Sequence, residues 1–438
     1  MSWLRKLVDV RDAETRPMSM SFLYFFFVMS GYFILRPIRD EVAAASGVSR
    51  LPWLFTGTLA VTLCFNPLFS ALVVRFRARR VIATSYHFFA ANLIGFYLLL
   101  RLSPSNDAAL AVWTGRAFYV WTSAFNLFVV SIFWSFMADV FRSEQAKRLF
   151  GFIGVGGTLG SIVGSGVTAS LASRIGSVNL LLVSAVLIEL AVFTVIAFPQ
   201  MSSGRAAARG DAPIGGRVWA GITDILRSPY LLVICGFLIL YVIGSTFLYF
   251  EQADIVGRTY ATRDARTTVL AQIELVAQGL TVLTQVFFTG RIIRWIGLTA
   301  TLALLPVVSM LGFASLGAIP VFMTLAVFIV VRRAANFSLT NPAMEVLFTV
   351  VPREEKYKAK NFIETFVYRG GDQIAAWVYA GLAALGLGMA GISFAAVPLA
   401  GVWFGAAVWL GRRQAHLAAS AADSHFTAAA PVSVASPA

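Results

Sequence analysis

Ser19-Met-Ser-Phe-Leu-Tyr-Phe-Phe-Phe-Val-Met-Ser-Gly-Tyr-Phe-Ile-Leu-Arg36-Pro-Ile-Arg39-Asp40-Glu41 decides the fold class. Nothing between Ser19 and Leu35 is charged, and about 20 mostly apolar residues in a helix cross the hydrocarbon of a bilayer. The stretch therefore predicts a membrane span, residues 19 to 44. The same signal recurs at 52 to 74, 81 to 101, 109 to 137, 149 to 173, 178 to 198, 229 to 250, 267 to 289, 297 to 316, 320 to 345, 362 to 386 and 391 to 411, giving twelve spans. Helices are the expected form, because an open sheet leaves backbone groups unpaired in lipid and the alternation of a barrel strand is absent. The expected fold class is an all-α membrane protein with twelve transmembrane helices.

Composition agrees: of 438 residues 58% are hydrophobic and 13% charged, whereas a soluble domain has about 25% charged residues. Two cysteines and three histidines, two of them (His416 and His425) in the C-terminal tail, exclude a disulfide framework and leave no set for a zinc site. No metal or cofactor is expected. The formal charge of +14 is dispersed between apolar runs, which argues against a nucleic acid polymer and for membrane orientation or an anionic small molecule. An enzyme is not expected either. The chain has no His-Glu-x-x-His, no phosphate-binding loop, and no nucleophile–histidine pair around His87, its one histidine outside the tail.

The longest polar interruption, 199 to 228, is rich in Gly, Ser, Ala and Arg and separates six spans from six. The expected organisation is an N-terminal bundle (1–198), a cytoplasmic linker (199–228), a C-terminal bundle (229–413) and a disordered Ala/Ser-rich tail (414–438). With both termini and the linker in the cytoplasm, inner segments hold 23 Lys and Arg and outer segments 8, which sets the orientation. A bacterial inner membrane is the expected location. Charges interrupt the approach to Ala43-Ala44-Ala45, so the first span is expected to remain uncleaved.

Charges inside the spans are the candidates for function, since each costs about 2.5–3.5 kcal/mol on insertion scales. Arg36 and Arg39 share a helical face, Pro37 removes a backbone donor between them, and Asp40 falls on Arg36's face; the two guanidinium groups can meet a phosphate chain, with Asp40 holding one of them in an empty site. The alternative places this cluster in the outer headgroups. Arg116 has uncharged residues on both sides; Arg332 and Arg333 point to different faces, with Glu345 or Glu364 as structural partners or a ligand as the target; Arg369 and Asp372 lie in span eleven. Glu189 and Glu274 stand alone in apolar sequence and are candidates for proton coupling, against a buried hydrogen-bonded carboxyl as the alternative. Gly156, Gly160 and Gly164 form a small-residue face for close helix packing. Among the aromatics, Trp134, Phe136, Tyr249 and Phe250 are candidates to stack on a base, though most rings must be core or lipid-facing.

Two loops add a family signal. Ser70-Ala-Leu-Val-Val-Arg75-Phe-Arg77 and Gly290-Arg-Ile-Ile-Arg294-Trp-Ile-Gly297 occupy equivalent places in the two halves, and both resemble the loop signature of the major facilitator superfamily, with Val74 and Arg294 where that signature has an acid. The resemblance implies two six-helix bundles rocking about a midplane site. Three further segments, Tyr32-Phe-Ile-Leu-Arg36-Pro-Ile-Arg39-Asp40, Glu144-Gln-Ala-Lys147-Arg148-Leu-Phe150-Gly151 and Lys356-Tyr-Lys358-Ala-Lys360-Asn-Phe-Ile363-Glu364 followed by Arg369, resemble in order and spacing the ATP/ADP translocases of plastids and intracellular bacteria. That resemblance implies ATP binding and ATP/ADP antiport without phosphoryl transfer. It assigns substrate contacts to Arg39, where the family has Lys, and to Asp40, Glu251, Lys358, Lys360 and Arg369, with Glu364 replacing an Asp. The residues themselves agree: Arg36, Arg39, Arg116 and Arg369 with Asp40 and Glu251 supply the fixed cations and the balancing acids that an anionic substrate needs. The competing expectations are a proton-coupled carrier of another organic solute or drug, using Glu189 or Glu274, and a non-transporting membrane receptor.

Overall fold

A computed structural model describes residues 11–75, 78–102, 108–141, 143–198, 228–352, 359–360, 363 and 367–428. Among the described residues the regular structure is helical. The N-terminal half contains α1 (Asp12–Ser46), α2 (Leu51–Arg75), α3 (Ala78–Leu102), α4 (Ala108–Val140), α5 (Ser143–Ile175) and α6 (Leu180–Ile196). The C-terminal half contains α7 (Pro229–Thr259), α8 (Arg263–Phe287), α9 (Thr289–Ala318), α10 (Phe322–Ala335), α11 (Asn341–Leu347), α12 (Tyr368–Ala384) and α13 (Met389–Ala428). Nine of the described helical segments are long and apolar enough to cross a membrane; Val48–Cys64 and Leu180–Ile196 are shorter apolar helices.

Several boundaries differ from the sequence expectation, for identifiable reasons. The run 290–296, expected as a loop, is helical and opens α9; the chain turns at Gly297, whose φ of 78° suits a residue without Cβ. Span ten is α10 joined to α11 by one π-helical turn, Asn336–Thr340. The last helix runs to Ala428, so residues 414–428 of the segment expected to be disordered continue as helix, consistent with their high alanine content. The proposed linker falls on 199–227, outside the described residues.

Helix α1 is central, packing on α4, α5 and α6 in its own half and on α7 and α8 in the other. Its contact with α5 depends on the glycine stripe. A Cβ added at Gly156, Gly160 or Gly164 would collide with the backbone carbonyl of Phe22, Phe26 or Ser30 respectively, so only glycine lets the two backbones approach this closely. The α1–α4 face is aromatic: Phe25 stacks on Phe133 with ring centroids 4.1 Å apart. Tyr24 donates to Tyr86 (2.8 Å), which donates to the Val129 carbonyl (3.1 Å), so both of these buried tyrosine hydroxyls are satisfied. In the other half α7 packs on α12 and α13, and α9 on α13 and α10. Phe193, Leu283 and Val402 project outward, as a surface bathed in lipid requires.

The two halves meet through α5 and α1 with α8, α1 with α7, and α2 with α12. At the C-terminal end of α1, Arg266 donates to the buried Glu41 carboxylate from Nε (3.1 Å) and Nη2 (2.7 Å), and Arg263 pairs with the same group at 3.4 Å. Nearby, the Ser177 backbone N–H donates to Asp264 at 2.8 Å. These ties join the halves at the end of the bundle to which α1 runs.

The glycine seam makes a test of packing. Gly160→Ala is expected to lower stability by about 1–3 kcal/mol, the usual cost of overpacking, read as a fall in melting temperature in detergent. Gly154→Ala, whose added Cβ meets nothing within 4 Å, is expected to leave it unchanged or raised.

Candidate functional site

A cavity of about 320 Å³ lies between the halves and is lined from both. Helix α1 contributes Arg36 and Arg39, α2 Phe55 and Thr58, and α4 Tyr119, Ser123 and Asn126. From the other half come Tyr241, Ser245, Thr246, Tyr249 and Gln252 of α7, Arg332 and Arg333 of α10, Asn336 and Phe337 of the π turn, and Arg369, Asp372 and Gln373 of α12. The two α1 arginines reach one space because they are three residues apart on one helix face. The π turn directly follows Arg332-Arg333; it shifts the register so that Asn336 and Phe337 also face the cavity.

Each arginine has a distinct setting. Arg36 Nη1 donates to Glu274 Oε1 at 3.0 Å, and Gln278, one turn along α8, donates to the same oxygen at 3.1 Å. Arg333 pairs with the other oxygen, Oε2. One carboxylate, 4% exposed, thus bridges an arginine from each half. Arg39 clasps Asp40 Oδ1 through Nη2 (2.7 Å) and Nε (3.0 Å), and the Tyr249 hydroxyl donates to the same oxygen at 3.0 Å. Arg332, 5% exposed, has no acid partner among the described residues. Its Nε donates to Ser309 (3.2 Å), Nη1 to Ser245 (3.0 Å) and Nη2 to the Tyr241 carbonyl (3.1 Å), while the guanidinium lies over the Tyr241 ring at 5.2 Å. Asp372 accepts from Thr246 at 3.2 Å. Low local dielectric makes such contacts strong and unmatched charge costly.

The sequence candidates divide into those the cavity collects and those it does not. Arg36, Arg39 and Arg369 line it, so the headgroup alternative for the α1 pair does not hold. Asp40 is buried beside the cavity and, of the two guanidinium groups it was expected to choose between, holds that of the adjacent Arg39. Arg116 lies elsewhere, over the Trp113 ring at 4.9 Å in an apolar cleft between α2, α3 and α4. Glu251 is fully buried outside the cavity lining; Ser393 donates to its Oε1 at 2.6 Å and its Oε2 has no hydrogen-bond partner among the described residues. Lys360 pairs with Glu345 at 2.5 Å and lies over Phe348, away from the cavity. Lys358 and Glu364 lie outside the described residues. Neither carboxylate expected to stand alone does so: Glu189 is half-exposed and meets His87 at 2.9 Å, and Glu274 is the bridge. Among the described residues Arg333 therefore pairs with Glu274 and not with Glu345. Of the four aromatics singled out, Tyr249 reaches the cavity, while Trp134, Phe136 and Phe250 pack in the core.

Tyr241, Ser245 and Gln373 carried no signal in the sequence, being ordinary residues of apolar helices. Arg332 and Arg333 did carry one, the cost of two charges within a span, but their direction depended on tertiary packing.

Residues 18–371 match the family model of the Major Facilitator Superfamily. Among characterised relatives, "ADP,ATP carrier protein 1" of Chlamydia pneumoniae is 21% identical over 446 residues, covering 86% of this chain and 86% of that one. Its namesake in Chlamydia muridarum is 23% identical, covering 84% and 82%. Solved structures with the same fold include a D-xylose-proton symporter (TM-score 0.61, 12% identity, 89% and 96% covered) and the nucleoside transporter NupG (TM-score 0.54, 15% identity, 93% and 99% covered). Helical architecture, a cavity shared by both halves and a family match over most of its length lead to one statement: the chain belongs to the Major Facilitator Superfamily, as a divergent member similar to the ADP,ATP carriers.

Proposed function

We propose that this multi-pass transporter exchanges nucleotides across a bacterial inner membrane by alternating access of two six-helix bundles, with both termini in the cytoplasm. The observation that carries this reading is the cavity itself: five arginines, from α1, α10 and α12, surround one space between the halves. A neutral solute such as a sugar or nucleoside gives such a lining nothing to match, whereas phosphate groups accept bidentate, charge-assisted bonds from guanidinium forks. Tyr119, Tyr241 and Tyr249 in the same lining offer ring faces and hydroxyls to a base and ribose. The relatives named as ADP,ATP carriers support the same substrate class. In this reading Glu274 and Asp40 hold Arg36, Arg333 and Arg39 when no substrate is present, and the substrate's phosphates take over part of that role. Alternating access then requires the Arg36–Glu274 link between halves to re-form in every cycle.

A second reading, a proton-coupled carrier of another organic solute, is favoured by Glu251. Its unpartnered buried oxygen is better placed to hold a proton than Glu274, which two arginines occupy.

Three outcomes are expected. Arg39→Gln should cut counterflow of labelled nucleotide in reconstituted vesicles at least tenfold per folded, monodisperse protein, the loss expected from charge-assisted bonds of about 1.5–3 kcal/mol, with a lowered melting temperature because buried Asp40 loses its cation; unchanged counterflow refutes the assignment. Glu274→Gln should destabilise the purified protein by about 3–5 kcal/mol by leaving two buried cations without their acid, with partial recovery of the melting temperature in phosphate buffer, where an anion fills the gap. Under the second reading alone, uptake driven by an inward proton gradient is lost on Glu251→Gln; under nucleotide exchange that variant retains counterflow.

A further inference from the structure

The formal charge of the lining is specific. Five guanidinium groups face the cavity, and among the described residues three carboxylates balance them: Glu274 between Arg36 and Arg333, Asp40 on Arg39, and Asp372 in the lining. Two positive charges are left over. One localises on Arg332, for which the described residues provide no ion pair; the other is shared by Arg36 and Arg333, which face the single carboxylate of Glu274, while Asp372 interacts electrostatically with Arg369. Arg332 is held in place by three neutral acceptors and a ring face. A guanidinium has five N–H donors, so after these three bonds one remains on each terminal nitrogen, the pair that a bidentate contact with two oxygens uses. Burying an uncompensated cation this way is costly, and Arg332 is buried at the cavity lining. Arg369 sits on α12 in the same lining, one turn before Asp372.

We infer that the substrate crosses as a dianionic phosphate, with Arg332 as the fixed anchor, and that the net charge of this lining, to which Arg369 contributes, selects among phosphorylated compounds. The inference rests on the transport reading above and adds the charge of the cargo and an anchoring residue. Two chemical forms satisfy it: a compound with one terminal phosphate, or a nucleoside triphosphate carrying a bound divalent cation. Free ATP, with about four negative charges, leaves the occupied cavity with an excess of about two negative charges in low dielectric, which is unfavourable.

The test reconstitutes the full-length protein in vesicles preloaded with labelled AMP and measures exchange against external AMP, cyclic AMP, ATP in EDTA, ATP with magnesium, glycerol 3-phosphate and inorganic phosphate. Cyclic AMP keeps the base and sugar of AMP but carries one charge. The expected result is that AMP, magnesium ATP or both exchange at least tenfold faster than cyclic AMP and ATP in EDTA, and that Arg369→Gln shifts the AMP to cyclic AMP ratio at least tenfold toward the monoanion. Arg332→Gln should abolish AMP exchange, with folding checked by melting temperature. Because Arg369 has no bond to lose among the described residues, its variant keeps the test decisive even where Arg332→Gln fails to fold. Equal exchange of ATP in EDTA and AMP, or an unshifted ratio in Arg369→Gln, overturns the charge inference and leaves nucleotide exchange standing. Exchange of glycerol 3-phosphate or phosphate without any nucleotide, seen with vesicles preloaded with labelled phosphate, supports the dianion and overturns nucleotides as cargo. No exchange of any phosphate compound overturns both.

Discussion

A guanidinium cannot shed its proton to escape a low-dielectric interior, so every arginine buried in this bundle requires a compensating group. The bridge Arg36–Glu274–Arg333 is the solution on which the rest of the site depends. It fixes the position of α8 against α1 and α10, and it places two cations from opposite halves on either side of one carboxylate. Arg39 is compensated inside its own helix by Asp40, and Arg332 by neutral hydroxyls and a carbonyl. The site therefore contains three ways of keeping the same side chain charged in a bilayer, and they differ in what each leaves for a ligand.

The fold supports this arrangement with packing of a different kind. Glycines on α5 bring α1 into close backbone contact, aromatic stacking secures α1 to α4, and the Glu41–Arg266 pair with Asp264 draws α8 to the end of α1. None of these contacts touches the cavity. They hold the helices whose faces do, and they leave the lining free to be polar.

Much of the architecture could be read from hydropathy because a bilayer imposes length and internal hydrogen bonding on each segment. Gly156, Gly160 and Gly164 were readable for the same reason: their spacing puts them on one face whatever the partner. Arg36 and Arg39 could be placed on a common face, but periodicity left open which of them Asp40 holds; the long Arg39 side chain folds back on this neighbour. Glu274 appeared solitary because its partners are 238 and 59 residues away. Arg116 resembled a site residue by the same hydropathy argument that found Arg36; rotation of α4 sends it to another cleft, and rotation is not encoded in the count of apolar residues around it. Local periodicity reports faces, and only tertiary packing reports what each face meets.

The close seam between α1 and α5 has a further mechanical meaning. Because the backbones are in contact there, Arg36 and Arg39 cannot slide independently of the N-terminal half; they are carried with it as fixed points on a rigid chassis. Arg332, Arg333 and Arg369 travel with the opposite half. In the proposed exchange cycle the separation of these two charge groups is the coordinate along which the molecule reorients, and a polyanionic cargo of the proposed kind shortens it by pulling on both ends, supplying the tension that closes the halves around it.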